Sequence, residues 1–141
     1  RSSEYIFILS GRSETGMHLG FGLPPAERRV GSEIPILVVL ADSKPIIGAE
    51  AWALVQGPNS ELRTLLQLFD DGSHTDGIAD DGVYGALFDN TATSGPYVVK
   101  ASGWGRNNEG ESFVRHRTGG FQVLPRIAYI WQNDLATAFE Y

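Results

Sequence analysis

The chain has no cysteine, so neither a disulfide framework nor a thiolate metal site is available, and the redox compartment stays open. No apolar run approaches a bilayer span. The longest, residues 5–9 and 34–41, fall far short of the roughly 20 residues that a membrane helix needs. No basic stripe exists either. With a formal charge of −6 the chain has nothing to displace counterions from phosphate, which argues against nucleic acid as a partner. The nucleophile elbow G-x-S-x-G, the H-E-x-x-H pair and the Walker and dinucleotide glycine patterns are all missing, as are repeats and low-complexity segments. No stretch reads as a signal peptide. A chain that opens on Arg1 and stops at Tyr141 is expected to be part of something longer.

What is present is a chain of 141 residues, 42% hydrophobic and 20% charged, enough to bury one substantial core. Seventeen glycines and seven prolines spread along it divide it into many short elements. Residues 5–9 are β-branched and aromatic and predict a strand. Met17, Leu19, Phe21 and Leu23 alternate with His18, Gly20 and Gly22 in a half-buried strand that stops at Pro24-Pro25 and turns His18 to solvent. Residues 34–41 are apolar on both faces and predict a central strand, with Pro35 near its start, where a missing donor is tolerated. Residues 49–56 predict another, with Trp52 expected in the core, and residues 61–69 alternate cleanly after a Gly57-Pro58-Asn59-Ser60 turn. Residues 83–88, 96–101 and 111–124 complete the set, the last with a break open at Gly119-Gly120. Residues 103–110 predict an exposed loop or hairpin tip.

Strands at roughly ten-residue spacing without helical periodicity predict an all-β sandwich of about seven to nine antiparallel strands, a barrel being the alternative. The sandwich should occupy residues 1–124, its first 29 less firmly defined. Residues 125–141 are expected to form an extension or linker, with a strand at 127–131 and a short helix capped by Asp134 as readings of that tail. Tyr97 opens a late strand and should bond its hydroxyl back across a corner.

The chain is organised around residues 70–84, where five aspartates, three glycines and a histidine separate two apolar runs. Such a composition forms neither a buried strand nor a stable helix. It predicts an ordered loop whose carboxylates either converge on a cation or bond to the loop's own amides in Asx turns. The EF-hand template fails, because no glutamate follows Gly82 at the required distance. Asp70, Asp76 and Asp81 are well separated, with Asp71 and Asp80 adjacent to two of them. Gly72, Gly77 and Gly82 permit the sharp turns that would fold the loop on itself. Five carboxylates held close repel one another unless water or a cation screens them. Calcium suits flexible oxygen geometry better than magnesium does. His74 has no second histidine at a spacing that would make a zinc site. Tyr84 and the glycines at 72 and 82 are structural candidates at the loop's edges.

Catalysis is not expected. Paired carboxylates can hydrolyse glycosides, but a solvated loop gives no reason for the raised pKa that a general acid needs. Among three tryptophans, Trp104, set between glycines, is the candidate for an exposed platform that would stack on a carbohydrate, with a ring folded onto the sandwich edge as the other reading. Arg115-His116-Arg117 forms a small basic cluster on the last strand and reads as a solvated face.

The stretch Leu68-Phe69-Asp70-Asp71-Gly72, then Asp76, then Asp80-Asp81-Gly82-Val83-Tyr84 and Phe88, resembles a β-sandwich module of the calcium-activated chloride channel regulator family. That module follows the von Willebrand factor A domain, and related modules occur in bacterial surface or secreted proteins. The flanks agree, with Pro45-Ile46-Ile47-Gly48-Ala49 and Pro58 upstream and Gly95-Pro96-Tyr97-Val98-Val99-Lys100 downstream. The resemblance covers about residues 30–124 and departs at His74 and Thr75, where small residues are common. It implies a non-catalytic immunoglobulin- or fibronectin-like module in a multidomain secreted, periplasmic or cell-surface protein. Its partners would be neighbouring domains, a von Willebrand factor A domain among them, or a protein or glycan. The A domain's metal site and any protease activity do not carry over, because neither segment is present.

Overall fold

The computed structural model describes residues 14–59 and 61–126. The strands expected at 5–9 and 127–131 and the helix after Asp134 lie outside the described residues. Among the described residues seven strands form: β1 (Gly16–Phe21), β2 (Ile34–Ala41), β3 (Glu50–Gln56), β4 (Arg63–Leu68), β5 (Val83–Phe88), β6 (Gly95–Arg106) and β7 (Ser112–Val123). A 3-10 turn over Pro25–Glu27 follows β1, started by proline, whose fixed φ suits a first helical position. Two antiparallel sheets result, ordered β1-β2-β5 and β4-β3-β6-β7. This is the expected sandwich. Its fourth strand joins β3 in the second sheet and does not extend the first beyond β5.

Side-chain alternation sets the register. In β2 the residues Ile34, Ile36, Val38 and Leu40 are fully buried, and in β6 Tyr97, Val99 and Ala101 point inward as expected. One residue of slip would exchange every one of these for its outward neighbour, so the core enforces the pairing. At one end the core is aromatic. Tyr97 and Phe121 stack at 5.3 Å, while Phe88 meets Tyr97 edge-on at 5.8 Å and Phe21 meets Phe121 edge-on at 5.1 Å. The Tyr97 hydroxyl donates to the Thr93 carbonyl at 2.6 Å, the corner bond foreseen for it, and burial pushes its pKa up.

Two expectations are corrected. Trp52 is not in the core: Ala51, Ala53 and Val55 take the inner face of β3, and Trp52 lies outward with its indole N–H donating to Glu50 Oε1 at 3.0 Å. Residues 103–106 are not loop but the end of β6, so Trp104 is a strand residue paired with Glu50 on one side and Val114 on the other. The glycines that suggested a loop are there for space. A Cβ on Gly103 would sit 2.9 Å from Met17 Cε, and Gly105 adopts a φ of +152° beside Ala49. Strand β7 runs unbroken through Gly119-Gly120.

The hairpin tip after β6 clamps the β2–β3 crossover. Asn108 donates its backbone N–H to Asp42 Oδ2 at 2.8 Å and its amide to Asp42 Oδ1 at 2.8 Å, and that amide also reaches the Lys44 and Pro45 carbonyls. Partial burial would raise the Asp42 pKa, but the bonds from Asn108 and the backbone outweigh it and leave it below the ordinary carboxylate value. A carboxyl whose folded pKa is depressed contributes stability above its unfolded pKa of about 4 and loses it as pH falls through the folded value. Asn108→Ala should therefore cost about 1 kcal/mol at neutral pH. The gap from the parent chain should narrow below about pH 4, as read by urea unfolding across pH.

Candidate functional site

The acidic loop is the connection by which the chain crosses from the second sheet to the first. It leaves β4 and enters β5 through a single bridge. The Phe69 N–H donates to the Gly85 carbonyl at 3.0 Å and the Gly85 N–H returns to the Phe69 carbonyl at 2.9 Å. Everything between is thus a closed loop pinned at its neck.

Three aspartates organise its interior. Asp76 is 4% exposed, and its two oxygens accept the Gly72 N–H at 2.7 Å and the His74 N–H at 3.0 Å. Asp70 accepts the Asp81 N–H at 3.2 Å and the Gly82 N–H at 2.9 Å, tying the loop's exit to its entrance. Asp81 accepts the Val83 N–H at 3.0 Å in an Asx turn. These bonds bring one oxygen from each of Asp70, Asp76 and Asp81 within 4.8 Å of one another. Oxygens 2.3–2.6 Å from a calcium ion lie at most about 5 Å apart, and the spacing of these three falls within that limit. Each carboxylate oxygen carries two lone pairs, so accepting an amide proton leaves one available.

The other two aspartates are turned elsewhere. Asp71 meets His74 Nδ1 and accepts the Ser73 N–H, both at 2.9 Å, contacts that hold its pKa below the usual value. Asp80 is exposed in the left-handed region at φ 59° and contributes its backbone N–H to the Asp70 carbonyl. His74 also lays its ring against Phe69, with centroids 4.5 Å apart. Burial is the main cause that raises the Asp70 pKa, and the neighbouring Asp81 carboxylate adds repulsion, against the lowering effect of the Gly82 and Asp81 amides. A cation between the two would remove that repulsion.

Gly82 lies with its backbone against the end of β2. It sits at φ +82° with the Leu40 carbonyl and Pro45 Cβ 2.9 Å from where a Cβ would lie, and its carbonyl accepts the Leu40 N–H. Gly72 takes φ +77° where the loop doubles back under Ala79. Tyr84 fastens the floor: its hydroxyl donates to the Ile46 carbonyl at 2.7 Å and accepts the Ala49 N–H at 3.1 Å. Its pKa is raised by burial first and then by the charges of Asp70 and Asp80. The reading of the sequence missed Gly85. The loop lies across this strand residue so closely that a Cβ would fall 2.5 Å from the His74 carbonyl. A lone glycine inside a strand pattern is the signal that could have found it.

The family model described as conditioned medium factor 2nd Ig-like domain matches residues 38–123, from within β2 to the end of β7 and therefore across the whole loop. The chain belongs to that family. It is also similar to two proteins named calcium-activated chloride channel regulator 1. The human one is 34% identical over 93 residues, covering 63% of this chain and 10% of that protein. The Macaca mulatta one is 37% identical over 83 residues, covering 59% and 9%. The chain thus spans about a tenth of the length of these curated relatives.

Gly85→Ala should push the His74–Thr75 segment off the sheet and cost about 1–3 kcal/mol. Gly20 also lies on a strand but has nothing within 4 Å of its missing Cβ. Gly20→Ala should be neutral or stabilise by about 0.5 kcal/mol. Equal losses in thermal unfolding would show that the loop does not rest on Gly85.

Proposed function

We propose that this chain is a non-catalytic immunoglobulin-like module of a larger extracellular protein, and that Asp70, Asp76 and Asp81 bind one calcium ion that stiffens the crossing between its two sheets. The convergence of three carboxylate oxygens carries the reading. Hydrogen bonds alone would order the loop, yet they leave like charges crowded at one point, with a lone pair available on each. An affinity typical of extracellular modules, about 10⁻⁴–10⁻³ M, suits three side-chain ligands on an open loop. Asp71 and Asp80 then shape the rim and stay outside the first coordination sphere.

The module's task is positional. A sandwich with its crossover loop braced by an ion holds neighbouring domains, a von Willebrand factor A domain or another, in a fixed relation for spacing, adhesion or assembly. Secreted, periplasmic and cell-surface settings supply calcium near the required concentration. Among the described residues no helix is long and apolar enough to cross a membrane.

Calcium at about 10 mM should stabilise the fold by about 1.5–2.7 kcal/mol and raise Tm by about 5–10 °C over chelator. Asp81→Asn keeps the acceptor for the Val83 amide but removes one of three crowded charges. It should leave Tm in chelator unchanged or slightly higher while abolishing the calcium response. Because the Asp70 pKa is raised, calcium affinity should fall as pH drops toward that value and protons compete for its oxygen. Superimposable melts in calcium and chelator would leave the Asx turns as the loop's whole purpose.

A further inference from the structure

The charges of this molecule are segregated. The strands of the first sheet carry no Asp, Glu, Lys or Arg, and five aspartates lie in the loop. The strands of the second sheet carry Arg63, Lys100, Arg106, Arg115 and Arg117 against a single carboxylate, Glu50. Alternation splits that sheet's residues between its two faces. Arg115 reaches inward along the edge to donate to the Thr15 carbonyl at 2.8 Å, whereas Arg63, Lys100 and Arg106 share the outer face with Glu50. An outer face bearing more positive than negative charge stands out on a chain of net charge −6.

Two indoles lie on that same face. The pairing places Lys100 opposite Leu54, Ser102 between Trp52 and His116, and Trp104 between Glu50 and Val114. Trp52 and Trp104 are therefore diagonal neighbours, and the track from Trp104 past Ser102 to Lys100 is about 14 Å long at strand rise. Glu50 is engaged: its Oε1 accepts the Trp52 indole and, at 3.5 Å, the Gln67 amide, which orients the Trp52 ring and occupies the face's one carboxylate. Ser102 Oγ and His116 Nδ1 lie 2.9 Å apart and set hydroxyl-binding groups beside the rings. Trp104 is 41% exposed, too open for a ring that serves only the core.

We propose that this outer sheet face binds an anionic polysaccharide, with Trp52 and Trp104 stacking on sugar rings and Lys100 pairing with a carboxylate or sulfate. Sugar rings present apolar C–H faces to the electron-rich face of an indole and hydroxyls at their rim. Two diagonally adjacent indoles flanked by Ser102 and His116 match that alternation. Leu54 and Leu65 continue the apolar strip from Trp52, and Lys100 lies opposite Leu54, so a cation borders that strip along β6. Glu109 and Glu111 lie at the hairpin tip beyond Arg106, so the cationic end of the track is Lys100. The proposal is independent of the calcium loop.

The test is titration of the full 141-residue chain by intrinsic tryptophan fluorescence and calorimetry, in chelator so that calcium cannot bridge anions. The probes are a heparin decasaccharide, a hyaluronan decasaccharide, neutral cellohexaose and poly-L-glutamate. Binding of either anionic oligosaccharide, weakened by salt, with heparin and hyaluronan separating sulfate from carboxylate, is the expected result. Trp104→Ala should weaken binding about tenfold, and Lys100→Gln about three- to fivefold, the range of one exposed ion pair. Trp52→Phe should weaken it too, and each variant is compared only if its melt matches the parent's. Silence with both anionic sugars, equal binding of cellohexaose, binding of poly-L-glutamate alone, or indifference to the Trp104 and Lys100 substitutions in folded protein would each overturn the proposal.

Discussion

Carboxylates that accept backbone amides are the interaction on which the crossing between the sheets depends. Asp76 receives the N–H groups of Gly72 and His74, and Asp70 those of Asp81 and Gly82. Without them the loop between Phe69 and Gly85 would lack internal partners for those amides, and a buried one such as that of Gly82 costs about 1–3 kcal/mol when unpaired. The same bonds that order the loop force Asp70, Asp76 and Asp81 together. Order and charge crowding are thus one feature, and the Asp70 pKa is raised by burial first, with repulsion from Asp81 added to it. A hard cation would convert that cost into further stability.

The rest of the sandwich carries the loop. The Phe69–Gly85 bridge joins β4 to β5 across the sheets, Tyr84 ties β5 to the β2–β3 crossover, and Asn108 ties that crossover to the β6–β7 hairpin. Three connections at one end of the molecule are therefore bonded to one another. At the other end the stacked aromatics around Phe121 serve the same purpose by packing. Both ends of the sandwich are thereby fastened, one by hydrogen bonds and the other by ring packing.

Period-two alternation made most strands legible, and the acidic loop stood out because nothing else in the chain concentrates aspartate. The residues that misled were those whose size conflicted with their place. Trp52 is the bulkiest side chain of β3, yet the core takes Ala51 and Ala53 there, because the space is filled by larger residues such as Met17 and Leu40 from the other sheet. Gly103 and Gly105 looked like loop punctuation and are strand positions kept small by Met17 and Ala49. Spacing could nominate five aspartates. Only the folded loop shows that Asp71 turns to His74 and Asp80 turns outward, because that division depends on backbone φ values that no sequence pattern displays.

Amide hydrogen exchange at Gly72, His74, Asp81 and Gly82 is the most direct measure of whether aspartate acceptors order this loop. The account predicts that all four amides are protected in chelator, and that millimolar calcium slows them further, together with their neighbours along residues 70–82. Exchange at unprotected rates in chelator, with no change on adding calcium, would contradict it.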